Sequence, residues 1–391
     1  MTLYPAPARR SEVDPFIVMD VMRAAAAEEA KGRQIIHMEV GQPAAPAPRK
    51  AREAVLKALS SGDPMGYTLA TGREDLREAL AARYKRLYGV APDPEQIVVT
   101  TGSSGAFLLA FLALFDAGSR VAMADPSYPS YRNIFRSLNI EPVSLPAEAS
   151  TRFQPTPAMI EAAHAQAPLA GILAASPANP TGTTLGRPEM AALIQTCAKL
   201  GIPYISDEIY NGILFEGRAP VSAVQISDRA LIIDSFSKYH CMTGWRVGWM
   251  VVPKHLLRTV ERLTQNHHIC APHVSQIAAL GALEADEELS AHVATYARNR
   301  EILLDALPGL GFADIAPADG AFYIWTDVSK FTANSPEFCA RMLREAGVAA
   351  TPGVDFDPAR GLSRMRFSYA RSTEDMIEGA RRLKDWIQGG I

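Results

Sequence analysis

The sequence predicts an α/β fold: a mostly parallel seven-stranded sheet covered by helices, followed by a smaller α+β part. Three observations predict it. Apolar, β-rich runs recur at 97–100, 120–124, 141–145, 170–175, 203–206, 230–234 and 247–252. Helical patterns lie between several of them, as at 106–115, 159–166 and 188–200. After about Glu284 the alternation stops and a long helical stretch begins. Strands buried on both faces read as continuous apolar runs, and strand–helix alternation brings such strands together in parallel.

Element by element, residues 16–34 carry a helical pattern with an alanine run, and Gly32 stands near its C-cap. Val40-Gly41-Gln42-Pro43 ends a short extended segment, and Pro46 and Pro48 break the chain before a helix over 49–60. Gly62-Asp63-Pro64 is a turn. The seven runs and their helices follow. The helix over 287–307 stops at Pro308-Gly309; then come a strand at 322–328, a helix at 336–346, a strand at 365–369 and a last amphipathic helix. The expected division is a large domain at 46–283 and a small one built from 1–45 and 284–391.

Composition narrows the function. The chain has 391 residues, 48% of them hydrophobic, and a net charge of -3. No basic stripe is present, so neither nucleic acid nor an anionic membrane is an expected partner. The longest apolar run, 106–115, is too short to cross a bilayer. Arg9 and Arg10 are followed by no apolar h-region, so a secretory signal is not expected. The four cysteines, Cys197, Cys241, Cys270 and Cys339, are far apart and form no C-x-x-C, which suits a reducing cytoplasm.

The chemistry gathers where strands end, which is where ligands bind in such sheets. Thr101-Gly102-Ser103-Ser104-Gly105 follows the first strand and opens a helix, so its backbone N–H groups suit a phosphate. Such turns are also Gly/Ser-rich for steric reasons alone. Tyr128 follows the second strand and offers a ring for stacking or for packing. Asn179 lies in Asn179-Pro180-Thr181-Gly182, first of all a turn. Asp207 shares a strand face with Ile205 and is followed by Tyr210; alone, such an Asp reads as a cap or an ion pair. Ser235-Phe236-Ser237-Lys238 then leads, through Met242-Thr243-Gly244-Trp245, to Arg246. An ordinary lysine keeps its head in water, because burying an unpaired ammonium is expensive. A lysine that forms a Schiff base loses its charge and avoids that cost.

In that order the motifs N-P-T-G, S-D-E-I-Y and S-x-S-K-x-x-x-M-T-G-W-R-x-G resemble those of the class I/II aminotransferases of fold type I. The likeness runs from Gly41 to Arg366. It implies pyridoxal 5′-phosphate as cofactor, held by Lys238 as an internal aldimine, with Asp207 paired to the pyridinium nitrogen. It implies that Tyr210 and Asn179 reach the phenolic oxygen, and that Tyr128 stacks on the ring. Ser103, Ser104, Ser235, Ser237 and Arg246 would hold the phosphate. Tyr67 matches a tyrosine that reaches the phosphate of a neighbouring subunit, which implies a homodimer with shared active sites. Gly41 matches the glycine that closes over the substrate. Arg366 matches the arginine that grips the α-carboxylate; Arg364 lies on the same strand face, and the pattern alone does not choose, but the R-F-S-Y context favours Arg366.

The implied reaction is ping-pong transamination between an L-amino acid and a 2-oxo acid, with the freed Lys238 as the base. The fold leaves other reactions open: a β-lyase, an aminocyclopropane-carboxylate-synthase-like lyase or an acyl-transferring synthase. A cofactor-binding transcription regulator would need a DNA-binding domain, and the roughly forty residues before Gly41 hold no basic recognition helix. His267, His268, Cys270 and His273 concentrate possible metal ligands, but Pro272 breaks the helix and the spacing fits no zinc pattern. They are expected at the active-site mouth or a subunit interface, and no metal is expected. Ser104 stands where some acidic-substrate members carry lysine, which weakens aspartate as donor. The residues around Phe16, Tyr67 and 265–273 are expected to shape the side-chain pocket.

Overall fold

The computed structural model describes residues 6–390. Its main sheet has seven strands, ordered Ile97–Thr100, Gly248–Val251, Leu231–Ser235, Tyr204–Asp207, Gly171–Ala175, Arg120–Asp125 and Glu141–Pro146. Gly248–Val251 runs antiparallel to both neighbours; the other pairings are parallel. This is the expected α/β sheet, with one strand reversed. The reversal follows from the connection: Leu231–Ser235 returns through a short loop instead of a crossover helix, so its successor must lie antiparallel. Lys238 lies in that loop.

Alternation along the strands separates two apolar cores. Ile97 and Val99 enter one, with Ile172, Ile232 and Trp249. Val98 enters the other, with Leu173, Ile233 and Met250. The six strands other than Glu141–Pro146 therefore bury both faces almost completely, whereas that edge strand buries only Leu145 and leaves Glu141 and Ser144 exposed. From the helix Gly102–Leu114, the side chains of Ala106, Phe107, Leu109, Ala110 and Phe111 fill the second core.

A second, three-stranded antiparallel sheet is ordered Thr351–Pro352, Arg364–Ser368, Tyr323–Asp327. Met365 and Phe367 enter a third core with Ile324 and Met342. By the two-residue period Arg364 and Arg366 lie on the opposite face. The short strand Ile36–His37 pairs in parallel with Val348–Ala349, tying the N-terminal segment to the C-terminal part.

Several helices fall within a few residues of expectation, among them Arg49–Ser60, Arg187–Leu200, Ser335–Ala346 and Asp286–Leu310. The helix expected over 16–34 is shorter, Ile17–Glu29, and Gly32 stands beyond its end with φ +85°. Four further helices, Glu74–Tyr88, Pro129–Ser137, Leu257–His267 and His273–Ala282, were not delimited from the sequence, where only a break at Pro272 was expected for the last two. Pro272 does separate the last two.

Candidate active site

Because six of the seven strands run in one direction, their carboxyl ends share one edge, and the loops that follow meet there. A cavity of about 210 Å³ opens at this edge. Larger hollows of about 530 and 620 Å³ lie elsewhere, so size does not select the site. Chemistry does: Ser103, Ser104, Tyr128, Asn179, Asp207, Tyr210, Ser237, Lys238, Arg246, Arg366 and Gly41 all line the smaller cavity.

One group of these residues suits an anion. The helix Gly102–Leu114 begins without a side-chain cap, so its first N–H groups have no side-chain acceptor at the N-cap. Gly102 has φ +75°, and a Cβ there would stand 2.6 Å from Arg246 Nη2. Gly248 is also tightly packed, with a hypothetical Cβ 2.8 Å from Asp234 O and 3.1 Å from the Ser103 backbone nitrogen. Two glycines thus let a guanidinium and a helix N-terminus approach each other, an arrangement that attracts a phosphate. Ser235 does not line the cavity; its hydroxyl lies 3.0 Å from both Val247 O and Ser237 Oγ, and so holds the loop beneath.

Asp207 is buried, and burial pushes its carboxyl up to about 6. It accepts hydrogen bonds from the Tyr131 hydroxyl and from Ile209 N at 3.1 Å. The Lys238 ammonium favours its charged form. Lys238 donates from Nζ to Gly41 O at 2.6 Å. Burial, and then the charges of Arg366 and Arg246, push its pKa down to about 8, while Asp207 opposes the shift. An amine poised there supplies a neutral lone pair near neutral pH.

Arg366 is 2% exposed. Its guanidinium lies 4.4 Å from the Tyr323 ring centre and 4.5 Å from that of Phe356. Nη1 donates to Asn179 Oδ1 at 2.9 Å, Nη2 to Glu39 O, and Nε has no partner. A buried, unpartnered N–H on a guanidinium that faces a cavity is suited to a carboxylate. Arg364, on the same face, is instead engaged by Asp314 at 2.6 Å and Asp327 at 3.5 Å. Tyr210 and Tyr323 share a hydroxyl–hydroxyl hydrogen bond of 2.6 Å.

Tyr67 is not brought into this cavity; it is 82% exposed. His273 Nε2 meets Arg73 Nη1 at 2.7 Å and Nδ1 meets Gly66 O at 2.9 Å, while His267 is exposed. Among the described residues no group of three or more His, Cys, Asp or Glu side chains is placed to hold a metal.

The chain matches the family model "Aminotransferase class I and II" over residues 33–383. It belongs to that family. Valine–pyruvate aminotransferase of Mycobacterium tuberculosis is 48% identical over 383 residues, 97% of this chain and 98% of that protein. The crystal structure of a putative aminotransferase from Silicibacter pomeroyi is 52% identical, with a TM-score of 0.92 over 98% of this chain and 100% of that one. An aminotransferase crystal structure from Mycobacterium tuberculosis is 47% identical, with a TM-score of 0.96 over 99% of this chain and 100% of that one. The chain is therefore an enzyme, an aminotransferase of the aspartate aminotransferase superfamily with a fold type I architecture. It acts on small molecules, moving amino groups between amino acids and 2-oxo acids. Among the described residues no helix is long and apolar enough to cross a membrane.

Sequence reasoning did not name Tyr131, Tyr323, Phe107, Val18 or Met19, which also line the aminotransferase cavity. Tyr131 reaches Asp207 from 76 residues away, and Tyr323 reaches Tyr210 from 113. Contacts of that separation leave no local signal. Gly41 carried one: a Cβ there would collide with Tyr323 Oη, so the position excludes any side chain.

Proposed function

We propose that this aminotransferase uses pyridoxal 5′-phosphate, carried covalently on Lys238, and transfers the amino group of an apolar L-amino acid such as valine to pyruvate by a ping-pong reaction. The observation that carries the reading is the convergence of Lys238, Asp207, Arg246 and Arg366 on one cavity. The donor set fits the cofactor: an uncapped helix N-terminus with Arg246 for its phosphate, and the buried Asp207 for its ring nitrogen. When bound, the cofactor supplies an electron sink for the pair released at the substrate α-carbon.

The chain's own residues do the rest. Arg366 binds the α-carboxylate, and the Tyr323 and Phe356 rings keep its plane oriented before substrate arrives. Asn179 Oδ1 holds Arg366 Nη1, leaving the Asn179 amide N–H groups and the Tyr210 hydroxyl to donate to the cofactor's ring oxygen. Lys238 Nζ takes the α-proton and returns it, a task for an amine whose pKa is about 8. Ser103, Ser104, Ser237 and Arg246 anchor the phosphate, with Ser235 supporting them. Tyr128 packs on the ring. Gly41 O, which accepts from Lys238 Nζ at 2.6 Å, holds that amine in place at the cavity.

The valine–pyruvate preference rests on the name of the 48% identical relative and on the apolar Phe16, Val18, Met19 and Val40 along the cavity. A homodimer is proposed as the working unit, with the partner subunit's Tyr67 completing the phosphate site. Leu56, Leu59, Leu69 and Ile269 are exposed large apolar side chains, as Tyr67 is, and burying them would favour such an interface. Residues 46–283 are proposed as the large domain and 1–45 with 284–391 as the small one, and the cytoplasm as the location. The test is a single-turnover reaction of the loaded enzyme with L-valine and no oxo acid. One equivalent of 2-oxoisovalerate per site is expected; ammonia or pyruvate release from a β-substituted amino acid, with no oxo acid from valine, would overturn the reading.

A further inference from the structure

The N-terminal helix Ile17–Glu29 starts without a cap of its own: Phe16, its N-cap, makes no side-chain hydrogen bond. Its first amides are satisfied from the far end of the chain. Ile17 N donates to Asp355 Oδ1 at 3.2 Å, and Val18 N to Asp355 Oδ2 at 3.3 Å. One carboxylate thus holds two of the free N–H groups of a helix start, where negative charge is favoured. Asp355 is 4% exposed, and Arg132 Nη2 donates to its backbone oxygen at 2.9 Å, fixing the turn that carries it.

The residues just before the helix are held from the same side. Asn133 Nδ2 donates to Asp14 O at 3.1 Å, and Arg136 pairs with the Asp14 carboxylate. Between these anchors, Phe16, Val18 and Met19 face the cavity. The Phe16 ring meets Tyr128 edge-on, with centres 5.7 Å apart. Asp355 itself does not line the cavity.

We propose that Asp355 is a positioning residue for donor selection: by gripping the amides of Ile17 and Val18 it sets the apolar wall on which the donor's side chain packs. This rests on the transamination reading above. A branched donor fills the space against that wall, whereas alanine scarcely reaches it. A wall that retreats by about 1 Å therefore penalises valine and spares alanine.

The test uses the loaded enzyme in wild-type, Asp355→Asn, Asp355→Ala and Phe16→Ala forms. For each, kcat and KM are measured with L-valine and L-alanine, and hydrogen exchange is followed at the amides of residues 17 and 18. Asp355→Ala is expected to lower the valine-to-alanine ratio of kcat/KM by about tenfold, mainly through KM for valine, and to expose both amides to exchange. Asp355→Asn keeps the shape and one acceptor, so an intermediate ratio is expected; it decides the matter should the alanine variant not fold. Phe16→Ala is expected to lower the ratio while the amides stay protected. An unchanged ratio in the Asp355 variants, or amides as protected as in wild type, overturns the proposal. Failure of the underlying reading shows differently: the wild-type enzyme would then take an amino group from neither donor.

Discussion

The Arg366 guanidinium donates to Asn179 Oδ1 across 2.9 Å, and so links the small antiparallel sheet to a loop at the edge of the large one. Both side chains are buried. The residue meant to bind the substrate's carboxylate and the residue meant to touch the cofactor are thereby oriented by each other.

Arg366→Lys should separate binding from cofactor capture. A lysine keeps the charge but loses the planar fork and its seat between Tyr323 and Phe356. A fall of roughly a hundredfold in kcat/KM for amino donors is expected, about 3 kcal/mol, with the cofactor's absorbance in the resting enzyme retained. Steady-state kinetics beside an absorbance spectrum checks both halves.

Gly41→Ala should be costly out of proportion to one methyl group. The added Cβ would collide with Tyr323 Oη, whose hydroxyl is also tied to Tyr210. The expected loss of stability is about 1–3 kcal/mol, as for other overpacked sites. In the double variant with Tyr323→Phe, part of that loss should return, as thermal melts of the four proteins would register.

His37 gives a pH signature. Hydrogen bonds to Glu39 and then Glu29 outweigh burial and raise its pKa to about 9. A raised pKa means that the folded chain holds a proton the unfolded chain releases. The stabilisation is therefore complete below about pH 6.5 and disappears as pH rises through 9. His37→Gln should lower the melting temperature clearly at pH 6 and hardly at pH 9.5. A difference that is flat with pH would show that the ion pairs contribute nothing.

For the cofactor-free chain, capture of pyridoxal phosphate should speed up as pH rises through about 8, where Lys238 loses its proton. Stopped-flow absorbance measures the rate. An inflection near 10.5 would mean that neither burial nor the neighbouring arginines act on this amine.

Much of the fold was legible because every strand of the large sheet except the edge strand Glu141–Pro146 is buried on both sides, so Val98 and Val99 both had to be apolar although they face different cores. The helix Glu74–Tyr88 escaped notice because charged residues surround its buried Leu76, Leu80 and Tyr84; their spacing of four was the available signal. Pro129–Ser137 was hidden for another reason, since Tyr128 and Pro129 read as a loop. In the site, residues at strand ends were visible as motifs. Tyr131, Tyr323 and Asp355 were not, because each acts on a partner far along the chain.

The central claim is that Lys238 carries the cofactor. Borohydride reduction of the loaded enzyme, followed by digestion and mass spectrometry, tests it most directly. The account predicts one pyridoxyl group per chain, on Lys238. A label on any other lysine, or on none, would contradict it.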